Sequence, residues 1–147
     1  ITAEEFAAIQ DQAVRDAVAL QETAGLQAIT DGEFRRASYW SHFVAGIDGL
    51  EVAEARFNFT DASGHEIHFF APHVTGPIQR NRPLSGTEFD FLKSATQGTP
   101  KVTLPSPPTM HFWDATSAVR SAGYAGPEEF FADLGAVFQA RPWSLRS

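Results

Sequence analysis

The residues best suited to chemistry lie in one stretch, Ile29-Thr30-Asp31-Gly32-Glu33-Phe34-Arg35-Arg36, where two carboxylates and two guanidiniums crowd together. They follow the short apolar run Leu26-Gln27-Ala28-Ile29, and Gly25 before it closes a long helical pattern. Charge gathered just past a strand is how α/β folds present ligand sites. Glu33 can hold an ammonium through a charge-assisted hydrogen bond; the plainer alternative is an ion pair with Arg35 or Arg36. Asp31, two residues earlier, falls on the same side of an extended strand. It either lines the site, orients an arginine, or is satisfied by a neighbouring strand. Arg35 and Arg36 can each grip a carboxylate in a two-pronged fork, or simply pair across loops. Farther on, Ser106 and Thr109 flank prolines that stiffen the loop Pro105-Ser106-Pro107-Pro108-Thr109. Their hydroxyls either bind a polar substrate group or cap the next helix.

Other chemistries find less support. His65-Glu66-Ile67-His68 has an H-x-x-H spacing, with His73 near, but residues three apart on a strand face opposite sides. The chain has no cysteine, hence no disulfide, thiol nucleophile or thiolate ligand, and no metal is expected on it. Trp40 and Trp113 either stack on a flat ring or pack in the core. A net charge of −7 argues against nucleic acid or an anionic membrane as partner. No apolar run has the length of a membrane span, and no secretory pattern opens the chain. A cytoplasmic setting is expected.

These residues need elements to position them. Thr2-Ala3-Glu4-Glu5 reads as a capping box. The recurrence of Phe6, Ile9, Ala13, Ala17, Leu20 and Ala24 gives the helix it opens one apolar stripe. Strands are expected near Leu26–Thr30, Val74–Ile78 and Lys101–Leu104. Between the first two, residues 51–71 read as an inserted β-hairpin around Asp61-Ala62-Ser63-Gly64. Helices are expected from Ser85 and from Gly126-Pro127-Glu128-Glu129, the latter with Phe130, Phe131, Leu134, Val137 and Phe138 as its apolar face. Residues 140–147 read as an irregular tail. The whole, residues 1–147, is read as one α/β domain. Three parallel strands are too few for a closed (β/α)8 barrel, which takes eight strands and about 250 residues. A partial TIM barrel is therefore expected, lacking its first strand and C-terminal half, with exposed edges that favour self-association or call for the missing remainder.

Ala24-Gly25-Leu26, the stretch Ile29–Arg36, Trp40, and the later Lys101-Val102-Thr103-Leu104-Pro105-Ser106-Pro107-Pro108-Thr109 resemble the cobalamin-independent methionine synthase family. The likeness is nearer to its short single-barrel members, often labelled methionine synthase II. The resemblance implies an N-terminal part of the barrel. It also implies methyl transfer from 5-methyltetrahydrofolate to homocysteine, in methionine biosynthesis. By the same resemblance Glu33 takes the homocysteine amino group, with Asp31, Arg35, Arg36, Ser106 and Thr109 standing as the further substrate-binding candidates that their own chemistry offers. In that family a zinc ion held by one histidine, one glutamate and two cysteines activates the thiol. Those ligands come from the later half of the barrel, so zinc is not expected here and the chain is expected to be inactive alone. Two alternatives stand: transfer to a related thiol such as coenzyme M, or a non-catalytic barrel remnant that self-associates.

Overall fold

The computed structural model describes residues 1–55, 57–82, 84–112 and 115–139. The expected tail at 140–147 and the ring of Trp113 lie outside them. The chain forms a mixed α/β fold in two units, residues 1–39 with 85–104 and residues 40–84 with 105–147.

In the first unit, α1 (Ala3–Thr23) opens on the capping box: the Thr2 hydroxyl accepts from the Glu5 amide at 3.1 Å, and the Glu5 carboxylate accepts from the Thr2 amide at 2.7 Å. It closes at Gly25, whose φ of +78° turns the chain. The Gly25 amide donates to the Glu22 carbonyl and the Leu26 amide to that of Gln21, the paired arrangement that satisfies the last carbonyls of a helix. The helix buries a different face from the one its strongest stripe suggests. Val14 and Val18 are packed against Ile29 and Leu92, whereas Phe6, Ile9 and Leu20 remain 51%, 57% and 72% exposed. Periodicity identifies apolar arcs but not which arc meets the sheet. Here the β-branched pair meets it.

Strand β1 (Ala28–Ile29) pairs in parallel with a later strand, Thr99–Pro100 (numbered β6 below). The Thr99 amide donates to the Gln27 carbonyl and the Lys101 amide to that of Ile29, both at 2.8 Å. This strand lies earlier than the expected Lys101–Leu104. Beyond Lys101 the chain leaves the ladder, and the Thr103 carbonyl is engaged by a side chain instead.

In the second unit a short helix, α2 (Ser41–Val44), leads into β2 (Ile47–Glu54). After the small hairpin β3 (Phe59–Thr60) and β4 (Glu66–Ile67) comes β5 (Phe70–Arg80). The expectation of a parallel strand at Val74–Ile78 is corrected: β5 pairs antiparallel with β2, from Ile47↔Arg80 to Glu54↔Phe70. The cause is local. Asp61 accepts from the Ser63 and His65 amides and reverses the chain, so β5 returns along β2 with little loop to close. The ladder thus runs beyond residues 51–71 at both ends. Gly76 and Pro77 fit in β5 because the register shifts opposite them, between Asp48 and Leu50. Gly49 sits there at φ +80°, and a Cβ would lie 2.4 Å from the Pro77 carbonyl oxygen. Parallel pairing among the described residues is therefore confined to β1 and β6, two strands rather than three.

The chain re-enters the first unit with α3 (Gly86–Ala95) and β6, then completes the second with α4 (Thr109–Phe112), α5 (Ala115–Ser121) and α6 (Pro127–Gln139). Helix α6 buries Phe130, Leu134 and Val137 as its spacing requires, while Phe131 stays 37% exposed. Tyr124 ties it to the sheet: its hydroxyl accepts from the Ile78 amide at 2.7 Å and donates to Asp133 Oδ2 at 3.0 Å. Burial raises the Tyr124 hydroxyl above its ordinary 10.0, with Asp133 adding to the shift and the Ile78 amide opposing it. A raised folded-state value means this contribution to stability is complete below pH 10 and lost as pH climbs through the folded value. Tyr124→Phe leaves the Ile78 amide unpaired and is expected to lower the unfolding free energy by about 1–3 kcal/mol. Urea titration checks this, and the variant should also lose part of the wild-type alkaline destabilisation.

Candidate functional site

The charged stretch after β1 is a tight turn, which corrects the expectation that Asp31 and Glu33 share one side of an extended strand. Gly32 and Glu33 both adopt left-handed backbone, φ +66° and +59°. The Asp31 Oδ1 accepts from the Glu33 amide at 3.0 Å, and the Arg36 amide donates to the Glu33 carbonyl at 2.9 Å. A Cβ at position 32 would sit 2.7 Å from the Phe34 ring, so any other residue there would also push aside that half-exposed side chain. Asp31 itself is buried, 5% exposed.

Three elements hold this turn. From α1, the Gln21 amide grips the backbone of Thr30, donating to its carbonyl at 2.9 Å and accepting from its amide at 3.0 Å. Gln10 donates to the Phe34 carbonyl at 3.0 Å. Arg35 pairs with Asp11 and lies over the Phe91 ring, 4.1 Å from its centroid. From α3, Glu88 Oε2 takes both Nε and Nη2 of Arg36, at 3.2 and 2.9 Å. From the segment after β6, the Thr103 carbonyl accepts from Arg36 Nη1 at 2.9 Å. The Arg36 side chain is 1% exposed and that of Glu88 13%. The ion-pair alternative thus describes both guanidiniums. Of the clustered acids Glu33 is the least tied: its carboxylate stands 3.8 Å from Arg36 Nη1, beyond hydrogen-bond reach, and its side chain is 31% exposed.

Ser106 and Thr109 belong to the second unit. Their hydroxyls meet at 3.0 Å, and the Thr109 amide donates to the Ser106 carbonyl at the start of α4. Trp40 is packed, 8% exposed. His65 and His68 turn to different carboxylates, Asp61 at 3.4 Å and Glu54 at 2.8 Å. Among the described residues no three metal-ligating side chains of histidine, aspartate or glutamate come together. With no cysteine in the chain, the residues present do not fit the zinc that the resemblance implies. Asp11, Gln21 and Glu88 were not singled out from sequence. Glu88 sits in the first turn of α3, where an acid is ordinarily explained by the helix dipole alone.

No family model matches the chain. Its sequence and mixed α/β fold nevertheless show it to be homologous to part of the cobalamin-independent methionine synthases, as the two motifs suggest. The uncharacterized protein YxjH of Bacillus subtilis is 32% identical over 146 residues, which is 95% of this chain and 36% of that protein. A 5-methyltetrahydropteroyltriglutamate–homocysteine methyltransferase of Thermosynechococcus vestitus is 30% identical over 116 residues, 79% of this chain but 15% of the longer enzyme. The crystal structure of a putative vitamin-B12-independent methionine synthase from Listeria monocytogenes superposes with a TM-score of 0.63 at 27% identity, covering 95% of this chain and 38% of its own. The chain thus spans about a third of the length of the shorter relatives. No described helix is long and apolar enough to cross a membrane.

The frame around Arg36 makes a direct prediction. Arg36→Lys keeps the charge but not the fork, so it cannot serve Glu88 and the Thr103 carbonyl together. A loss of about 2–3 kcal/mol is expected in urea unfolding. A change within about 0.5 kcal/mol would show that the turn is held without it.

Proposed function

We propose that this chain forms part of the substrate wall of a (β/α) barrel methyltransferase that passes a methyl group from 5-methyltetrahydrofolate to homocysteine, with Glu33 receiving the homocysteine ammonium. The observation that carries this reading is the contrast within the turn. Arg35, Arg36, Asp11 and Glu88 are tied to one another or to the fold by hydrogen-bonded pairs, whereas Glu33 is held in a costly left-handed conformation with its carboxylate engaged by a looser ion pair, 3.8 Å from Arg36 Nη1. A non-glycine residue kept in that region marks a position the surroundings over-determine, and such positions cluster at functional sites. Asp31 then orients the turn from below, and Arg36 is a positioning residue rather than a ligand. The parallel β1–β6 pair is the part of the fold that supports a barrel.

In the family zinc supplies an activated thiolate. The donor set for it is not among these residues, so the role assigned to this segment is recognition, in a cytoplasmic enzyme whose remaining barrel carries the metal. The same observation favours homocysteine over coenzyme M. A carboxylate recognises an ammonium, and coenzyme M is a sulfonate thiol with none.

Calorimetric titration of the natural gene product with homocysteine tests this. Glu33→Gln is expected to weaken binding by about 10- to 100-fold, the equivalent of one charge-assisted hydrogen bond at 1.5–3 kcal/mol, without lowering the melting temperature. Unchanged affinity would assign Glu33 to the ion-pair network instead.

A further inference from the structure

Strand β5 and helix α6 leave a cavity between them in the second unit. Ile78, Gln79 and Arg80 line it from the strand, and Asp133, Ala136 and Val137 from the helix, around about 240 Å³. Alternation puts Ile78 and Arg80 on one side of β5, and positions 133, 136 and 137 share one face of α6. Ala136, the smallest side chain of that face, is exposed and leaves the space open. The apolar lining is Ile78 and Val137, 6% and 5% exposed. With it stand one charge of each sign. Asp133 is fixed by the Tyr124 hydroxyl on its Oδ2, and that hydroxyl is fixed in turn by the Ile78 amide. Among the described residues Asp133 Oδ1 has no hydrogen-bond partner. Arg80 is steadied through Nε, which donates to the Arg82 carbonyl at 2.9 Å. Packed interiors leave few gaps larger than a water molecule, and empty ones are apolar. A gap of this size that carries a carboxylate and a guanidinium is not a packing defect.

We propose that this cavity binds a free α-amino acid with an apolar side chain, its ammonium on Asp133 Oδ1, its carboxylate on Arg80 and its side chain against Ile78 and Val137. Opposite charges beside a small apolar surface match a zwitterion. A simple amine leaves Arg80 unmatched, and a simple carboxylic acid leaves Asp133 unmatched. Size narrows the class further. The cavity falls below the roughly 300 Å³ at which pockets for drug-sized ligands begin, so a nucleotide or a folate does not fit. An occupant held by both Asp133 and Arg80 ties α6 to β5. The inference goes beyond the proposed methyl transfer and does not rest on the role given to Glu33, which belongs to the first unit.

Calorimetric titration with L-norleucine tests it in the natural gene product carrying Glu33→Gln, so that the charged turn does not contribute. Pentylamine and hexanoate serve as the two halves of the zwitterion. Saturable binding of norleucine is expected, at least about tenfold tighter than either half. Ala136→Leu fills the cavity from an exposed helical position where leucine is well tolerated. It is expected to weaken binding at least about tenfold, and Asp133→Asn, which removes the charge, by a similar factor. Pentylamine or hexanoate binding as tightly as norleucine would overturn the inference, as would affinity unchanged by Ala136→Leu. Binding seen with Glu33 present but absent from Glu33→Gln would also overturn it. That result would assign the amino acid to the charged turn and leave the proposed function standing.

Discussion

Everything near the charged turn depends on one buried guanidinium. Arg36 makes contact with α3 through Glu88 and with the segment after β6 through the Thr103 carbonyl, while its own backbone closes the turn after β1. Three pieces of chain far apart in sequence meet on a single side chain that is 1% exposed. A charge so placed is tolerable only when paired and hydrogen-bonded, and removing either partner leaves the other stranded. Arginine suits the role because its fork is planar, always charged, and less strongly hydrated than an ammonium. The pair is therefore better understood as a device that specifies one arrangement than as a source of net stability.

What that arrangement fixes is an unfavourable backbone. Left-handed conformation is free for Gly32 but costs about 1–2 kcal/mol for Glu33. The Asp31 carboxylate on the Glu33 amide, the Gln21 clasp on Thr30 and the Gln10 contact with Phe34 all act against relaxation. Arg35 adds a further restraint from the side, held between Asp11 and the Phe91 ring. A turn anchored at so many points presents its one loosely tied carboxylate in a defined direction. That is the condition under which a charge-assisted contact with a ligand is not offset by the entropy of ordering the loop.

The sequence made the local features legible and left the long-range ones hidden. The capping box at Thr2–Glu5, the stop at Gly25 and the start of α6 at Pro127 each depend on a few neighbouring residues, and each forms as the residues indicate. The direction of β5 was not legible, because Val74–Ile78 has the apolar content of a barrel strand and only pairing with β2 decides its orientation. The buried face of α1 was misread for a related reason: two apolar arcs compete, and the larger side chains lie on the uncovered one. In the site, the crowding of charge at residues 31–36 was visible, but which charge pairs with which depends on Asp11 and Glu88, 24 and 52 residues away from their partners. Nothing local announces such contacts.

On the proposed reading these features separate recognition from activation. A methyl transfer to a thiol needs a thiolate at neutral pH and a fixed acceptor geometry, and the two demands are met by different chemistry. Lowering a thiol's pKa takes a metal or a concentrated positive field, and the guanidiniums here are already neutralised by Asp11 and Glu88. Fixing the acceptor takes a well-anchored carboxylate, and Glu33 sits on a turn held by Asp31, Gln21 and Gln10. The sequence has no cysteine to supply the thiolate ligands that the resemblance associates with activation, while the turn that carries Glu33 is anchored from α1, from α3 and from the segment after β6. On the proposed reading, the stability of the segment is arranged around the direction in which it points one charge.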